Sequence, residues 1–331
     1  MNHAPTVREI GEFGVLRRIR DILGTHSEEV ILGIGDDAAV IRPRPRPVVL
    51  STDAMVEDIH FRKRWTTAGD LAYKAMASNV SDLAAKAAEP MYSLITLGLP
   101  SDTPVSWVED FYRTLAGLRE EWGIEVIGGD TVRSETIMVS ITVWGYQFPF
   151  SPISQKTAQA GDRILVTGFL GDAAAGLELL EQGATPDTEE PARRRLIARF
   201  LRPMPRFREA LEIVRRVLPT AMTDISDGLA RDLPKLCEAG GIGAKVYGER
   251  LPCSEALRTV AERRAGSYAW RGGEDYELLL TLPPDKAQWL LNTWTLSACP
   301  VTEIGEILES GQGIHLLNWE GEVESGFDHF R

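Results

Sequence analysis

Gly33-Ile34-Gly35-Asp36-Asp37-Ala38-Ala39-Val40-Ile41-Arg42-Pro43-Arg44-Pro45-Arg46-Pro47 is the stretch on which the fold turns. Its first six residues satisfy the loose dinucleotide-binding fingerprint, and Asp53 falls near the spacing of a ribose-binding acid. A pyrophosphate-binding turn of that kind must open a helix. Pro43, Pro45 and Pro47 forbid one of useful length, because each removes a backbone donor and crowds the turn before it. Two adjacent aspartates would also repel a phosphate unless a metal intervened. A Rossmann site is therefore rejected. EVILGIGDDAAVI and VVLSTD read instead as two short strands separated by an extended linker, and RPRPRP itself as a rigid, solvated connector.

Toward the N-terminus, Thr6-Val7-Arg8-Glu9 is a capping box, and Ile10, Phe13, Leu16 and Ile19 recur at helical spacing, which predicts a packing helix over about 7–23. Toward the C-terminus a long apolar helix is expected from about Gly69 to Ala88, then strand-like YSLITLGL. VSWVEDFYRTLAGLREEW makes a second helix closed by Gly123, and IEVIGG and TIMVSITVWGY read as strands. Alternating elements with strands together at both ends favour an α+β first half over a purely parallel sheet. FPFSPISQKTAQAGD, with two prolines and little periodicity, marks a boundary near residue 150. Beyond it RILVTG, TAMTD, IGAKVYG, YELLLTL, PVTEIGEI and GIHLLNW read as strands. GDAAAGLELLEQG, the stretch from Pro191 to Leu218 and SDGLARDLPKLCEAGG read as helices, so the second half is mixed α/β as well. The length of 331 residues also suggests two domains at roughly 150 residues each, here 1–150 and 151–331.

Composition narrows the function. With 44% hydrophobic and 25% charged residues the chain is globular, neither disordered nor fibrous. A net charge of −12 makes nucleic acid and anionic lipid poor partners. Cys237, Cys253 and Cys299 have no C-x-x-C spacing, so neither a disulfide framework nor a zinc knuckle is suggested, and a reducing, cytoplasmic location fits. The start has no apolar segment of signal-peptide type, and the longest uncharged stretch is broken by prolines, so no membrane span is expected.

Acidic residues recur where an apolar strand runs into small residues: Gly35-Asp36-Asp37, Ser51-Thr52-Asp53, Gly129-Asp130, Asp224-Ile225-Ser226-Asp227-Gly228 and Gly272-Gly273-Glu274-Asp275. Strand ends in α/β folds face the ligand crevice. Any one such Asp is an ordinary turn former, but five together point to shared chemistry. Converging carboxylates need a cation to stay ionised. Oxygen-only ligands suit Mg²⁺, which keeps waters and takes a few carboxylates plus substrate phosphates. The five histidines show no paired spacing for zinc. Asp82 lies within a helix on a small, apolar face and needs a partner. It is read either as a shared metal ligand or as a carboxylate bonded to a backbone donor or Lys86. His60 is a candidate binding residue or a packed histidine. D-x-x-D-G at 224–228 also resembles an element of metal-dependent phosphomonoesterases, which leaves a phosphatase open. No P-loop or protein-kinase motif is present.

Taken in order, GIGDDAAV, STDAMVEDIHF, YKAMASNVSDLAAKAAEP, IGGDT, VTGFLGDAAAGL, TDISDGL, GGEDYELL and the terminal GFDHF resemble the thiamine-monophosphate kinase family nearly end to end. GGDT or SDGL alone would indicate only the wider superfamily of aminoimidazole-ribotide synthetase, selenophosphate synthetase and HypE. The absence of an early reactive Cys and of a C-terminal Cys separates the chain from the last two. The resemblance implies a two-domain, aminoimidazole-ribotide synthetase-like α/β (α+β) fold, with an ATP- and Mg²⁺-binding first domain through which a homodimer forms. It implies transfer of the ATP γ-phosphoryl group to thiamine monophosphate, giving thiamine diphosphate by direct in-line attack. It further implies Mg²⁺ ligands at Asp36, Ser51, Thr52, Asp53, Asp82, Asp130, Asp224 and Asp227, with Asp82 and Asp130 essential through metal. Gly129, Asp130 and Ser226 would contact ATP, and His60, Glu274 and Phe327 the thiamine substrate. One departure stands out: where the family commonly has an Arg before the second domain, this chain reads Gln155-Lys156-Thr157, and Lys156 lacks the bidentate fork of a guanidinium. A phosphatase and a non-catalytic nucleotide-binding protein remain the rival classes.

Overall fold

The computed structural model describes residues 4–24, 26–148 and 153–319, which divide into two compact units between residues 148 and 153, with 84–88 grouped with the second. The first unit runs α1 (Val7–Leu23), β1 (Val30–Leu32), β2 (Val40–Ile41), β3 (Val48–Val56), α2 (Ala68–Ala84), β4 (Ala88–Leu99), α3 (Val105–Trp122), β5 (Glu125–Arg133) and β6 (Met138–Gln147). The capping box forms at the start of α1, where the Thr6 N–H donates to the Glu9 carboxylate at 2.7 Å. The helix is broken internally at Gly11, whose φ is 65°. On α3, Val108, Phe111, Leu115, Leu118 and Trp122 bury one stripe, and Gly123 ends the helix in the left-handed region at φ 76°.

The main sheet of this unit has the order β3-β6-β4-β5. β3 and β6 pair antiparallel from Val48↔Tyr146 to Val56↔Met138, while β4 and β5 run parallel. Side chains alternate across the pleat: Ile95, Leu97, Ile141 and Val143 are buried, whereas Leu50 is 66% and Leu94 37% exposed on the other face. Two expectations are corrected. EVILGIGDDAAVI is not one strand but an antiparallel pair, β1 with β2, joined by the acidic turn. The helix expected to reach Ala88 stops at Ala84, and β4 begins at Ala88 after Ala87 takes φ 48°. An alanine-rich run carries no stop signal of its own, so pairing in the sheet decides where the helix ends.

The second unit contains, among its described residues, three 3₁₀ turns (Gln155–Thr157, Gly248–Arg250 and Glu262–Arg264), β7 (Arg163–Thr167), α4 (Asp172–Glu181), α5 (Pro191–Leu201), α6 (Phe207–Arg216), β8 (Ala221–Ile225), α7 (Leu229–Gly240), β9 (Gly243–Tyr247), α8 (Glu255–Ala261), α9 (Ala265–Arg271), β10 (Glu277–Leu282), α10 (Pro284–Thr293), β11 (Val301–Leu308) and β12 (Ile314–Leu317). Its sheet has the order β12-β9-β11-β7-β10-β8, antiparallel throughout except for the parallel pairing of β12 with β9. β8 and β10 are buried along their whole length, polar Thr223, Asp224, Glu277 and Thr281 included.

Candidate active site

In the first unit β3 and α2 carry the best-defined group. The Ser51 hydroxyl donates to the carboxylate of Asp82, half-buried in the last turn of α2. Thr52 donates to the Ile141 carbonyl at 3.1 Å and accepts from Thr142 at 3.0 Å. The Asp53 N–H donates to Asn79 Oδ1 at 3.0 Å, and Asn79, 1% exposed, is held by its own amide on the Ala75 carbonyl at 2.8 Å. Ser51 and Asp82 are thus brought together, and Asn79, a position sequence reasoning passed over, ties the two elements that hold them. His60 accepts the Val56 N–H at Nδ1 over 3.1 Å, which in the neutral ring places the proton on Nε2.

Asp36 and Asp130 are exposed, each accepting the N–H of the next residue, Asp37 and Thr131, at 2.8 Å. Gly129 must be glycine: its φ is 148°, and a Cβ there would lie 1.9 Å from the Ile95 carbonyl oxygen. A cavity of about 940 Å³ within this unit is lined by Asp36, Asp37, Gly129, Trp144 and, from α1, Arg17 and Arg20. These two arginines were missed when α1 was read as packing alone. The signal was the RRIR run inside an apolar-periodic helix. Arg20 also donates to the Ile34 carbonyl at 3.4 Å.

In the second unit Asp224 is buried at 8% exposure on β8, opposite Leu278 of β10. Ser226 and Asp227 follow on a half-buried turn that leads into α7 through Gly228. Glu274 stands beside this turn with φ 66°, its N–H donating to the Ser226 carbonyl at 2.7 Å. The next residue, Asp275, is 1% exposed and accepts the N–H groups of Gly171 at 2.6 Å and Ala173 at 3.3 Å. Burial pushes its carboxyl well above the usual aspartate range, with those N–H bonds and the Arg199 charge countering only in part. Beneath it Glu277, 0% exposed, is clasped by Arg206 at 2.6 and 2.7 Å and Arg199 at 3.0 Å. Gln155 donates to the Thr223 hydroxyl at 2.8 Å, and Lys156 is exposed. Phe327 lies outside the described residues.

The acidic strand ends do not form a ready-made cage. Among the described residues no three His, Cys, Asp or Glu side chains stand close enough to hold a metal ion. Among those residues, too, no helix is long and apolar enough to cross a membrane.

Residues 35–147 match the N-terminal domain of AIR synthase related proteins, and residues 159–317 match the C-terminal domain. The fold and these matches define a two-domain, mixed α/β protein of the AIR synthase-related class. Within that class the chain is 37% identical to the thiamine-monophosphate kinase of Salmonella typhimurium, over 97% of this chain and 98% of that one. The crystal structure of thiamine-monophosphate kinase from Stenotrophomonas maltophilia K279a superposes with a TM-score of 0.83 at 36% identity, covering 95% of this chain and 98% of that one. AaThiL complexed with AMPPCP and TMP gives 0.77 at 34% identity, covering 99% and 100%. The chain belongs to the thiamine-monophosphate kinase family.

Proposed function

We propose that this chain transfers the γ-phosphoryl group of ATP to thiamine monophosphate, yielding ADP and thiamine diphosphate. The observation that carries the reading is the full-length likeness to AaThiL, whose complex holds AMPPCP, an ATP analogue, together with TMP. The acceptor phosphate is already ionised near neutral pH, its second pKa being about 6, so the reaction needs no strong general base. The work left to the protein is to align two anions and offset their charge.

The donors expected to hold Mg²⁺ are Asp36, Ser51, Thr52, Asp53, Asp82, Asp130, Asp224 and Asp227, all of them oxygen. That chemistry fits a hard cation that keeps several waters and takes one or two carboxylates with substrate phosphates, so a preassembled cage is not required. When bound, Mg²⁺ supplies neutralisation of charge on the transferring phosphoryl group. The chain's own residues do the rest. Gly129, Asp130 and Ser226 are assigned to ATP. His60, with its proton on Nε2, and Glu274, held in a left-handed conformation, are assigned to the thiamine substrate together with Phe327. Arg17 and Arg20 offer cations beside Asp36, supporting a phosphate-bearing ligand in that cavity.

The same reading includes a homodimer and a cytoplasmic location. Val48 at 50% and Leu50 at 66% exposure lie on the same open face of β3, which supports association through the first unit. The three buried, unpaired thiols support a reducing compartment.

The test is to incubate the protein with ATP, Mg²⁺ and thiamine monophosphate and to quantify thiamine diphosphate as its fluorescent thiochrome derivative. Stoichiometric ADP and thiamine diphosphate are expected. Thiamine with inorganic phosphate would replace the kinase by a phosphatase, and Mg·ATP binding without product would leave a nucleotide-binding protein.

A further inference from the structure

Asp232 sits in the first turn of α7, 5% exposed. A buried carboxylate is costly unless its oxygens are used, and here both are. One oxygen accepts two successive backbone N–H groups, those of Ser226 at 3.0 Å and Asp227 at 2.9 Å. The other accepts the Lys235 ammonium at 3.1 Å, and Lys235 also pairs with the Asp227 carboxylate. Burial raises the Asp232 carboxyl, and the Lys235 charge pulls it back toward the ionised form. Two N–H groups converging on one oxygen fix two consecutive peptide planes, and with them the directions in which the Ser226 and Asp227 side chains leave the chain.

The opposite side of the turn is closed by backbone. A Cβ on Gly228 would lie 2.7 Å from the Arg271 carbonyl oxygen, and one on Gly273 would lie 2.8 Å from that of Ser226. The N–H groups of Glu274 and Tyr276 donate to Ser226 and Ile225 at 2.7 and 2.8 Å. The turn is therefore gripped between the 272–276 loop on one side and the side chain of Asp232 on the other.

We infer that Asp232 is a positioning residue for ATP: through its acceptor oxygen it holds Ser226 and Asp227 in the geometry that receives the nucleotide, without touching the nucleotide itself. The inference rests on the assignment of Ser226 and Asp227 made above. A carboxylate that merely capped α7 would affect stability and leave affinity unchanged.

Mg·AMPPCP is titrated calorimetrically into the wild-type chain and into Asp232→Ala, Asp232→Asn and Asp232→Glu, with a thermal melt of each. Asp232→Ala orphans two N–H groups and should bind about tenfold or more weakly. Asp232→Asn keeps an oxygen able to accept both and should restore binding to within about threefold of wild type. Asp232→Glu keeps the charge but moves the acceptor by a methylene, and should bind as weakly as Asp232→Ala, so a poorly folding alanine variant does not remove the test. Wild-type affinity in Asp232→Ala or Asp232→Glu overturns the inference, as does an Asp232→Asn protein no better than Asp232→Ala. A wild-type chain that fails to bind the analogue overturns the functional reading and this inference with it, whereas a binding wild type with indifferent variants overturns this inference alone.

Discussion

The carboxylates of the two units have the same chemistry and opposite circumstances. In the first unit Asp36 and Asp130 are exposed, and the hydrogen bond each accepts comes from its immediate neighbour in the chain. In the second, Asp275 and Glu277 are buried and cross-tie segments far apart in sequence, while buried Asp232 ties the turn just before its own helix. An exposed carboxylate costs little to keep charged and can exchange water for a cation. A buried one whose oxygens are both taken by protein donors becomes part of the scaffold. The comparison teaches that acidity alone does not mark a ligand: what marks it is an oxygen not already spent on the backbone.

The strongest way to break this contrast is at Glu277. Replacing it with Ala leaves Arg206 and Arg199 facing a void, and unfolding free energy should fall by about 3–5 kcal/mol. A denaturant melt with an unchanged midpoint would remove Glu277 from the scaffold. Next comes Asp82→Asn, expected to lower kcat about 100-fold or more while the melting temperature stays within a few degrees. Near-normal turnover at saturating Mg²⁺ would put Asp82 on the structural side of the comparison.

The third probe uses pH. Because burial raises the Asp275 carboxyl in the folded chain, the folded state holds that proton more tightly than the unfolded one. Its contribution is then greatest at or below the ordinary aspartate value near 4 and is lost as pH rises through the raised folded value. Asp275→Asn cannot titrate, so the wild-type advantage in melting temperature over this variant should shrink from pH 4 to pH 8. A difference constant across that range would mean Asp275 titrates normally. The smallest effect is expected at Lys156, exposed on its 3₁₀ turn: Lys156→Ala should change the KM for ATP by less than about twofold, and a tenfold rise would make it the stand-in for the missing arginine.

How much of this was legible in the sequence follows the same division. The end of α3 at Gly123 could be read because the stop is local, a residue that takes φ 76° without strain. The hairpin of β1 and β2 could not, since two strands of three and two residues carry too little periodicity to separate from the turn between them. Asp82 was recognisable as a carboxylate in an apolar setting that needed a partner, although Ser51 as that partner required the tertiary structure. Asp275 was counted among the acidic strand ends but not as part of the scaffold, and Asp232, four residues after Gly228, looks like any solvated acid near a helix start. Their significance comes from burial, and burial is set by strands more than a hundred residues apart, such as β7 and β10.

That separation has a consequence for synthesis. β8 is at the edge of its sheet, and its sheet partner is β10; the loop that grips the Ser226–Asp227 turn precedes β10 directly. A ribosome that has delivered residues up to 271 has made every acid assigned to the metal and every residue assigned to ATP, yet neither Glu274 nor Tyr276, whose N–H groups fasten the turn. Long-range pairing of this kind is slow to form and leaves a sheet edge open meanwhile. On the assignment of Ser226 and Asp227 proposed above, a chain cut before residue 272 would carry the acidic motifs without the loop that grips their turn.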